Sequence, residues 1–431
     1  MENSDSSSNH EFFALASDAV VENGWIWSDE DKAQWQPGPS SVQEFYAKWR
    51  GATLPDHTSL PYEIEVGLHE DGTPLLPFHA HDTAETRILI TKTYEDIFHR
   101  LLDLRRVGKS SRGAVITGQP GTGKSTFLKY MLIRLLSTSQ VVLLCNTTII
   151  HLFFDGHVYS RPASYGFHYL PKLPGFDNLA PWALIDVDFQ DVGAPLDNDS
   201  DVWPIQVSDP NPIRWKSWLE RFGGVEWGMP LWNFEDLLHG LRLQVGYAEY
   251  RNSLSEALSA KSTHRPDSQD VAIADALEVL KREKDLNLDD MRDDVDTDTV
   301  VESTEKDEVD DALEVLVGNA TEEVGFAPRD VYGLIFASRR MKNDRVRALK
   351  TFDYSALESL SKTFQNTRAL TYGQSLVVAV SPYQRGLFDD DGWKMDFKSI
   401  RIAKEAVLKL MEKDDQQLLG MYRSLCHSED T

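Results

Sequence analysis

Gly118-Gln-Pro-Gly-Thr-Gly-Lys-Ser125 constrains this chain more than any other stretch. It follows the short apolar run Gly113-Ala-Val-Ile-Thr117 and precedes Phe127, Leu128, Met131, Leu132 and Leu135, which recur at helical spacing. Every fixed position of G-x-x-x-x-G-K-[ST] is met, in the required order of strand, glycine loop and helix. Glycines let successive backbone N–H groups converge on an anion, and the start of the helix adds a favourable dipole. The motif predicts a cradle for a nucleoside triphosphate and Mg²⁺, built from Gly118, Gln119, Pro120, Gly121, Thr122, Gly123, Lys124, Ser125 and Thr126. Lys124 would neutralise phosphate oxygens and the Ser125 hydroxyl would ligate the metal.

Such a site needs an acid on a neighbouring strand to order the metal shell. Ala183-Leu-Ile-Asp186 supplies one, so Asp186 is the second candidate metal residue. Asp188 lies two positions on and shares a side with Asp186 if the strand continues. It is a candidate to orient water, or else the start of a polar loop. The place directly after Asp186 holds Val187, where many hydrolytic P-loop proteins carry Glu, so binding is better specified than hydrolysis. Gln206-Val-Ser208-Asp209 ends another predicted strand, and Ser208 or Asp209 there would sense the terminal phosphate or form a turn before Pro210. Gly325-Phe-Ala-Pro-Arg329 opens a helix with Pro328 in its first turn; Arg329 is free to reach phosphate or to pair with Asp330 or an acid on a neighbouring element. No guanine-specifying N-K-x-D occurs, which favours ATP as the nucleotide.

Charge narrows the partners. The chain carries 69 acidic and 44 basic residues, a net charge of −25, so nucleic acid is not indicated. Residues 267–311 alone hold 18 acidic and 5 basic residues and read as a partly disordered insert open to an unidentified protein partner. Asp275-Ala-Leu-Glu-Val-Leu280 is echoed by Asp311-Ala-Leu-Glu-Val-Leu316, as chance, short amphipathic helices or a solenoid repeat. With only Cys145 and Cys426 there is no disulfide framework, and Asp389-Asp-Asp391 reads as a solvated turn rather than a metal site. No secretory leader or membrane span is evident, which predicts an intracellular protein, cytoplasmic or nuclear. A homo-oligomer is compatible with all of this.

The ordered series Thr93 to Leu104, Ile116 to Thr126, Asp186, Ser208-Asp-Pro210, Met229-Pro-Leu-Trp232, Glu235-Asp-Leu237 and Gly325-Phe-Ala-Pro-Arg329 resembles the P-loop ATPases of the Crinkler and retrotransposon hot-spot type, related to AAA-like and STAND ATPases. The resemblance runs from about residue 88 to 336 and implies an ATP-driven switch with Arg329 on a helical lid. It does not account for the acidic insert, and no nuclease constellation accompanies it.

The expected fold is α/β: a three-layer P-loop core with a parallel sheet over residues 88–261. Ahead of it lies an aromatic-rich segment, 1–87, without an assigned role. An acidic insert, 262–311, and a helical lid with a small α+β part, 312–431, would follow. A hairpin or meander is expected after the P-loop helix, from Val141 to Ser160. The expected function is an ATP-binding conformational switch with slow hydrolysis. A non-hydrolysing nucleotide-binding scaffold is the alternative; a P-loop kinase, for which Arg214 and Arg221 are the available lid arginines, is a further one.

Overall fold

Alternation along β4, Ala114–Thr117, sets the architecture: Ala114 and Ile116 enter one apolar cluster, and Val115 between them enters another. A strand buried on both faces must lie inside a sheet covered on both sides. The computed structural model describes residues 24–54, 60–67, 87–107, 113–146, 148–173, 180–186, 194–197, 199–262, 273, 308–366, 370, 372–382 and 393–411. Asp188, Asp275 to Leu280, Asp389 to Asp391 and most of the acidic insert lie outside these residues.

The strands in chain order are β1 Gln36–Pro37, β2 Tyr62–Glu65, β3 Arg87–Ile90, β4, β5 Val142–Cys145, β6 Ile149–Phe154, β7 His157–Pro162, β8 Trp182–Asp186, β9 Trp203–Ser208, β10 Val225–Gly228, β11 Val378–Pro382 and β12 Trp393–Phe397. Eight of them form one sheet in the order β1-β7-β6-β5-β8-β9-β4-β10. From β5 to β10 the pairings are parallel. The meander expected after the P-loop helix is present, and it makes the sheet mixed, because β5, β6, β7 and β1 pair antiparallel.

One face of the sheet packs on the helices Ser40–Trp49, Lys92–Val107 and Lys124–Ser137, and the other on Trp215, the helix Lys216–Phe222 and the segment from Ala163 to Leu170. The result is the three-layer α/β arrangement of a P-loop NTPase. A buried polar residue in β9, Gln206, is satisfied within that second layer, accepting from Trp218 Nε1 at 2.6 Å. Several of the described N-terminal aromatics are core residues. Phe45, Tyr46 and Trp49 join the helical layer, Trp35 joins the opposite one, and Gln36 and Pro37 pair with the outermost antiparallel strand. β2 pairs with β3 to make a separate two-stranded ribbon.

The chain divides into two units: Met1–Gly118, Gly123–Met229 and Pro382–Gly392 form the first, and Gln119–Thr122, Pro230–Ser381 and Trp393–Thr431 the second. In the second unit the helices Phe234–Leu241, Tyr247–Ser262, Glu308–Val324 and Pro328–Phe336 share one apolar cluster. Glu308–Val324 begins inside the acidic stretch and contains the second copy of the repeated hexapeptide. A smaller α+β part combines the helices Ser338–Thr351, Tyr354–Asn366 and Ile400–Met411 with the two-stranded sheet β11-β12. Among the described residues no helix is long and apolar enough to cross a membrane.

Candidate functional site

All five parallel strands present their carboxyl ends at the same edge, and the glycine loop leaves β4 there. Gly118, Gly121 and Gly123 have φ of 157°, 85° and 91°, a region that side chains disfavour. Space is limiting as well: a Cβ on Gly118 would lie 2.8 Å from the carbonyl oxygen of Met229. Gly123 caps the helix Lys124–Ser137, which puts Ser125 and Thr126, both half-buried, in its first turn. The first N–H groups of a helix have no partner within it.

Five of the loop's carbonyls meet donors. Gly118 O accepts from Lys124 Nζ at 3.1 Å, Gln119 O from the Thr122 hydroxyl at 2.9 Å, and Gly123 O from the Tyr94 phenol at 2.7 Å. Gly121 O accepts from the Arg329 backbone N–H at 3.4 Å, and Thr122 O from the Trp232 indole at 2.9 Å. A trans peptide points its N–H opposite to its C=O. The amide of Lys124 therefore points away from Tyr94.

In the first unit, the Lys124 ammonium lies 3.3 Å from Asp209 Oδ1, with the lysine side chain 3% exposed and the aspartate 32%. Asp209 follows β9, whose last residue Ser208 is the register partner of Thr117, the last residue of β4. Thr117 Oγ1 and Ser208 Oγ are both buried and find no hydrogen-bond partner among the described residues. Asp186 ends β8 and is only 1% exposed, opposite Val207. Its carboxylate adds to the burial that pushes the Cys145 thiol up to about 12, so this cysteine is an inert core residue. Buried hydroxyls without partners are uncommon in folded chains and mark places where a ligand or water completes the hydrogen bonding. Together with a buried ammonium and a buried carboxylate, they form a donor set suited to a metal-bound polyphosphate.

In the second unit, Gln119 is fully buried and its amide spans the backbone of the β11 region. Nε2 donates to Ser375 O at 3.2 Å and Val378 O at 3.4 Å, while Oε1 accepts from Val380 N at 3.0 Å. The side chain at this motif position is thus an anchor, and only its backbone remains available to an anion. Arg329 opens the helix Pro328–Phe336 with Pro328 at its first position, and its Cβ sits 2.7 Å from where a Cβ on Gly121 would be. Beside it, the buried Asp330 pairs with the buried Lys398. The pairing with Asp330 that the sequence allowed for Arg329 is therefore taken by a lysine 68 positions away.

Two supports carried no signal in the motif. Tyr94 sits among apolar residues at helical spacing and reads as core, and Trp232 stands in a short series before a helix. Neither a phenol nor an indole is distinguishable as a loop anchor until the carbonyl it meets is in place. Of the two arginines available to a kinase lid, Arg221 donates to Ser217 O and Leu196 O, each at 3.1 Å.

No protein-family model matches the chain. No curated protein matches it either. Among solved structures it is similar to the Thermotoga maritima RuvB Holliday junction branch migration motor, with 14% identity over 66% of this chain and 86% of that one and a TM-score of 0.25. A likeness at that level carries no statement about activity.

Proposed function

We propose that this chain binds ATP with Mg²⁺ at the loop Gly118 to Ser125 and acts as a nucleotide-dependent conformational switch that hydrolyses ATP slowly. The single observation that supports the reading best is the loop itself: the Tyr94 phenol engages the Gly123 carbonyl, which turns the amide of Lys124 the other way. In this reading Lys124 neutralises phosphate oxygens, and Ser125 and Asp186 hold the metal. The hydroxyls of Thr117 and Ser208 complete the polar lining. The metal would supply charge neutralisation at the transferring phosphoryl group.

Hydrolysis is slow in this reading because Val187 stands where a carboxylate would activate water. Asp188 is the acid left to orient it, Ser208 or Asp209 would sense the terminal phosphate, and Arg329 would report the nucleotide to the helix it opens. The same valine supports a second reading, a scaffold that holds nucleotide without turnover and recruits a basic partner through its acidic stretch. Finer kinship with the Crinkler and retrotransposon hot-spot ATPases belongs to this proposal too, since it rests on the motif series alone.

The test is phosphate release from ATP with Mg²⁺, with nucleotide binding followed in the same samples, for wild type, Lys124→Ala and Asp186→Ala. Removing a desolvated ammonium from a phosphate site is expected to weaken binding by roughly a hundredfold or more. Asp186→Ala is expected to keep measurable binding and lose turnover. Unchanged affinity in Lys124→Ala would sink the assignment, and tight binding by wild type without turnover would select the scaffold.

A further inference from the structure

Gln119 to Thr122 group with the second unit, although the strand before them and the helix after them belong to the first. They form a turn closed on itself, in which Gln119 O accepts from both the amide and the hydroxyl of Thr122, at 3.4 and 2.9 Å. Three elements of the second unit hold this turn. Arg329 N–H reaches Gly121 O at 3.4 Å, the Trp232 indole reaches Thr122 O at 2.9 Å, and the Gln119 side chain runs into the small α+β part. The last contact is the most specific. A residue in a parallel neighbouring strand donates to one carbonyl and accepts from the N–H two residues further on. The Gln119 amide does both, giving Nε2 to Val378 O at 3.4 Å and taking Val380 N–H on Oε1 at 3.0 Å, and it adds a bond to Ser375 O at 3.2 Å. One side chain thereby occupies the place of a further strand beside β11. The preceding carbonyl, Val377 O, points to the opposite edge and accepts from Lys398 N–H at 3.0 Å. Val377 and Val378 in turn enter the apolar cluster of the small part, with Leu349, Phe352, Leu360 and Ile402.

We infer that Gln119 is a positioning residue that couples nucleotide at the loop to the small α+β part, so that occupancy of the loop stabilises β11 and an intact β11 stabilises the occupied loop. The inference rests on the proposed reading of the loop as an ATP site. A polyphosphate held by the loop amides restricts the turn from Gln119 to Thr122. That restriction passes through the Gln119 amide because all three of its bonds are to backbone groups, which cannot rotate away as a side-chain partner would. The coupling runs both ways, since the effect of one site on another is equal in reverse. Arg329 reports to the helix it opens, and Gln119 gives the same event a second output, in a part of the chain that the motif series does not reach.

The experiment is amide hydrogen exchange on the full chain, with and without saturating ATP and Mg²⁺, with nucleotide binding measured on the same samples. Three amides are compared: Val380, bonded to Gln119; Lys398, bonded to Val377 on the opposite edge of the strand; and Val158, bonded to the Gln43 side chain in the first unit. A ligand slows every amide that exchanges through global unfolding, so Val158 gives the background. In wild type, nucleotide is expected to slow Val380 and Lys398 about fivefold more than Val158, the low end of ordinary coupling between sites. In Gln119→Ala that excess should vanish at saturating nucleotide. Gln119→Glu keeps an acceptor for Val380 N–H but loses both donated bonds, and should lose most of the excess at Lys398 as well. Equal slowing of all three amides in nucleotide-bound wild type would overturn the inference, and so would an excess that survives undiminished in either folded variant. If wild type binds no ATP, the reading of the loop fails and takes this inference with it; if wild type binds and the excess is absent, the role of Gln119 alone is lost.

Discussion

Replacing Glu95 by Gln should destabilise the first unit in a way that depends on pH with a defined sign. Glu95 lies in the helix Lys92–Val107, where it accepts from the Tyr62 phenol at 2.8 Å and lies 3.3 Å from His99 Nε2 and 3.4 Å from the Arg134 guanidinium. Burial by itself would raise its pKa. The neighbouring His99 imidazole, the charge of Arg134 and the phenols of Tyr130 and Tyr62 outweigh that and hold it at about 2, against an ordinary 4.5. The same proximity helps push the Tyr62 phenol up to about 12, after the larger effect of its own burial. At about 1.4 kcal/mol per pH unit the carboxylate shift corresponds to roughly 3 kcal/mol, and partial exposure brings the working figure to about 2 kcal/mol. The folded-state pKa is the lower one. The stabilisation is therefore fully present above pH 4.5 and is lost as the pH falls through about 2. Parallel urea unfolding of wild type and Glu95→Gln should show a gap of about 2 kcal/mol at pH 7 that has roughly halved by pH 3. A gap of equal size at the two pH values would refute the argument, because it would mean that packing, and not the ionised carboxylate, carries the effect.

Other outcomes follow from single contacts in the second unit. Gln119→Leu strands Val380 N–H and the carbonyls of Ser375 and Val378; a loss of about 2–4 kcal/mol is expected, with amide exchange at Val380 accelerated. Exchange at Val380 unchanged from wild type would show that the amide does not anchor β11. Lys398→Met leaves Asp330 buried without its cation and should cost about 3–5 kcal/mol, most of it recovered when Asp330→Leu is added. Equal midpoints for the single and double variants in denaturant unfolding would contradict that account.

The parts of this protein that could be read from its sequence are those with a short-range cause. The P-loop is legible because glycine, lysine and serine at fixed spacing have few other uses, and the flanking strand and helix announce themselves by periodicity. The meander β5-β6-β7 was readable from three apolar runs broken by Thr147-Thr148 and Asp155-Gly156. The acid at Asp186 was readable because it ends a buried-type strand. β10 was not: Val225-Glu-Trp-Gly228 has too few residues to show a period, and it becomes a strand only because β4 offers it a free edge. The aromatic segment before residue 88 was equally opaque, since scattered tryptophans do not say which sheet face they will cover.

The sequence by itself therefore determined the glycine loop, its helix, and the strand and acid expected beside it, because local geometry and chemistry leave little freedom at those positions. Tertiary structure alone decided what meets them. It placed Asp209 against Lys124, put the Tyr94 phenol on the Gly123 carbonyl, and tied the Gln119 amide to β11, 259 or more positions away. Those contacts join residues whose side chains have many possible partners. Only the closing of the sheet and the packing of helices select one, because a buried donor or acceptor must find whatever group the fold brings within reach.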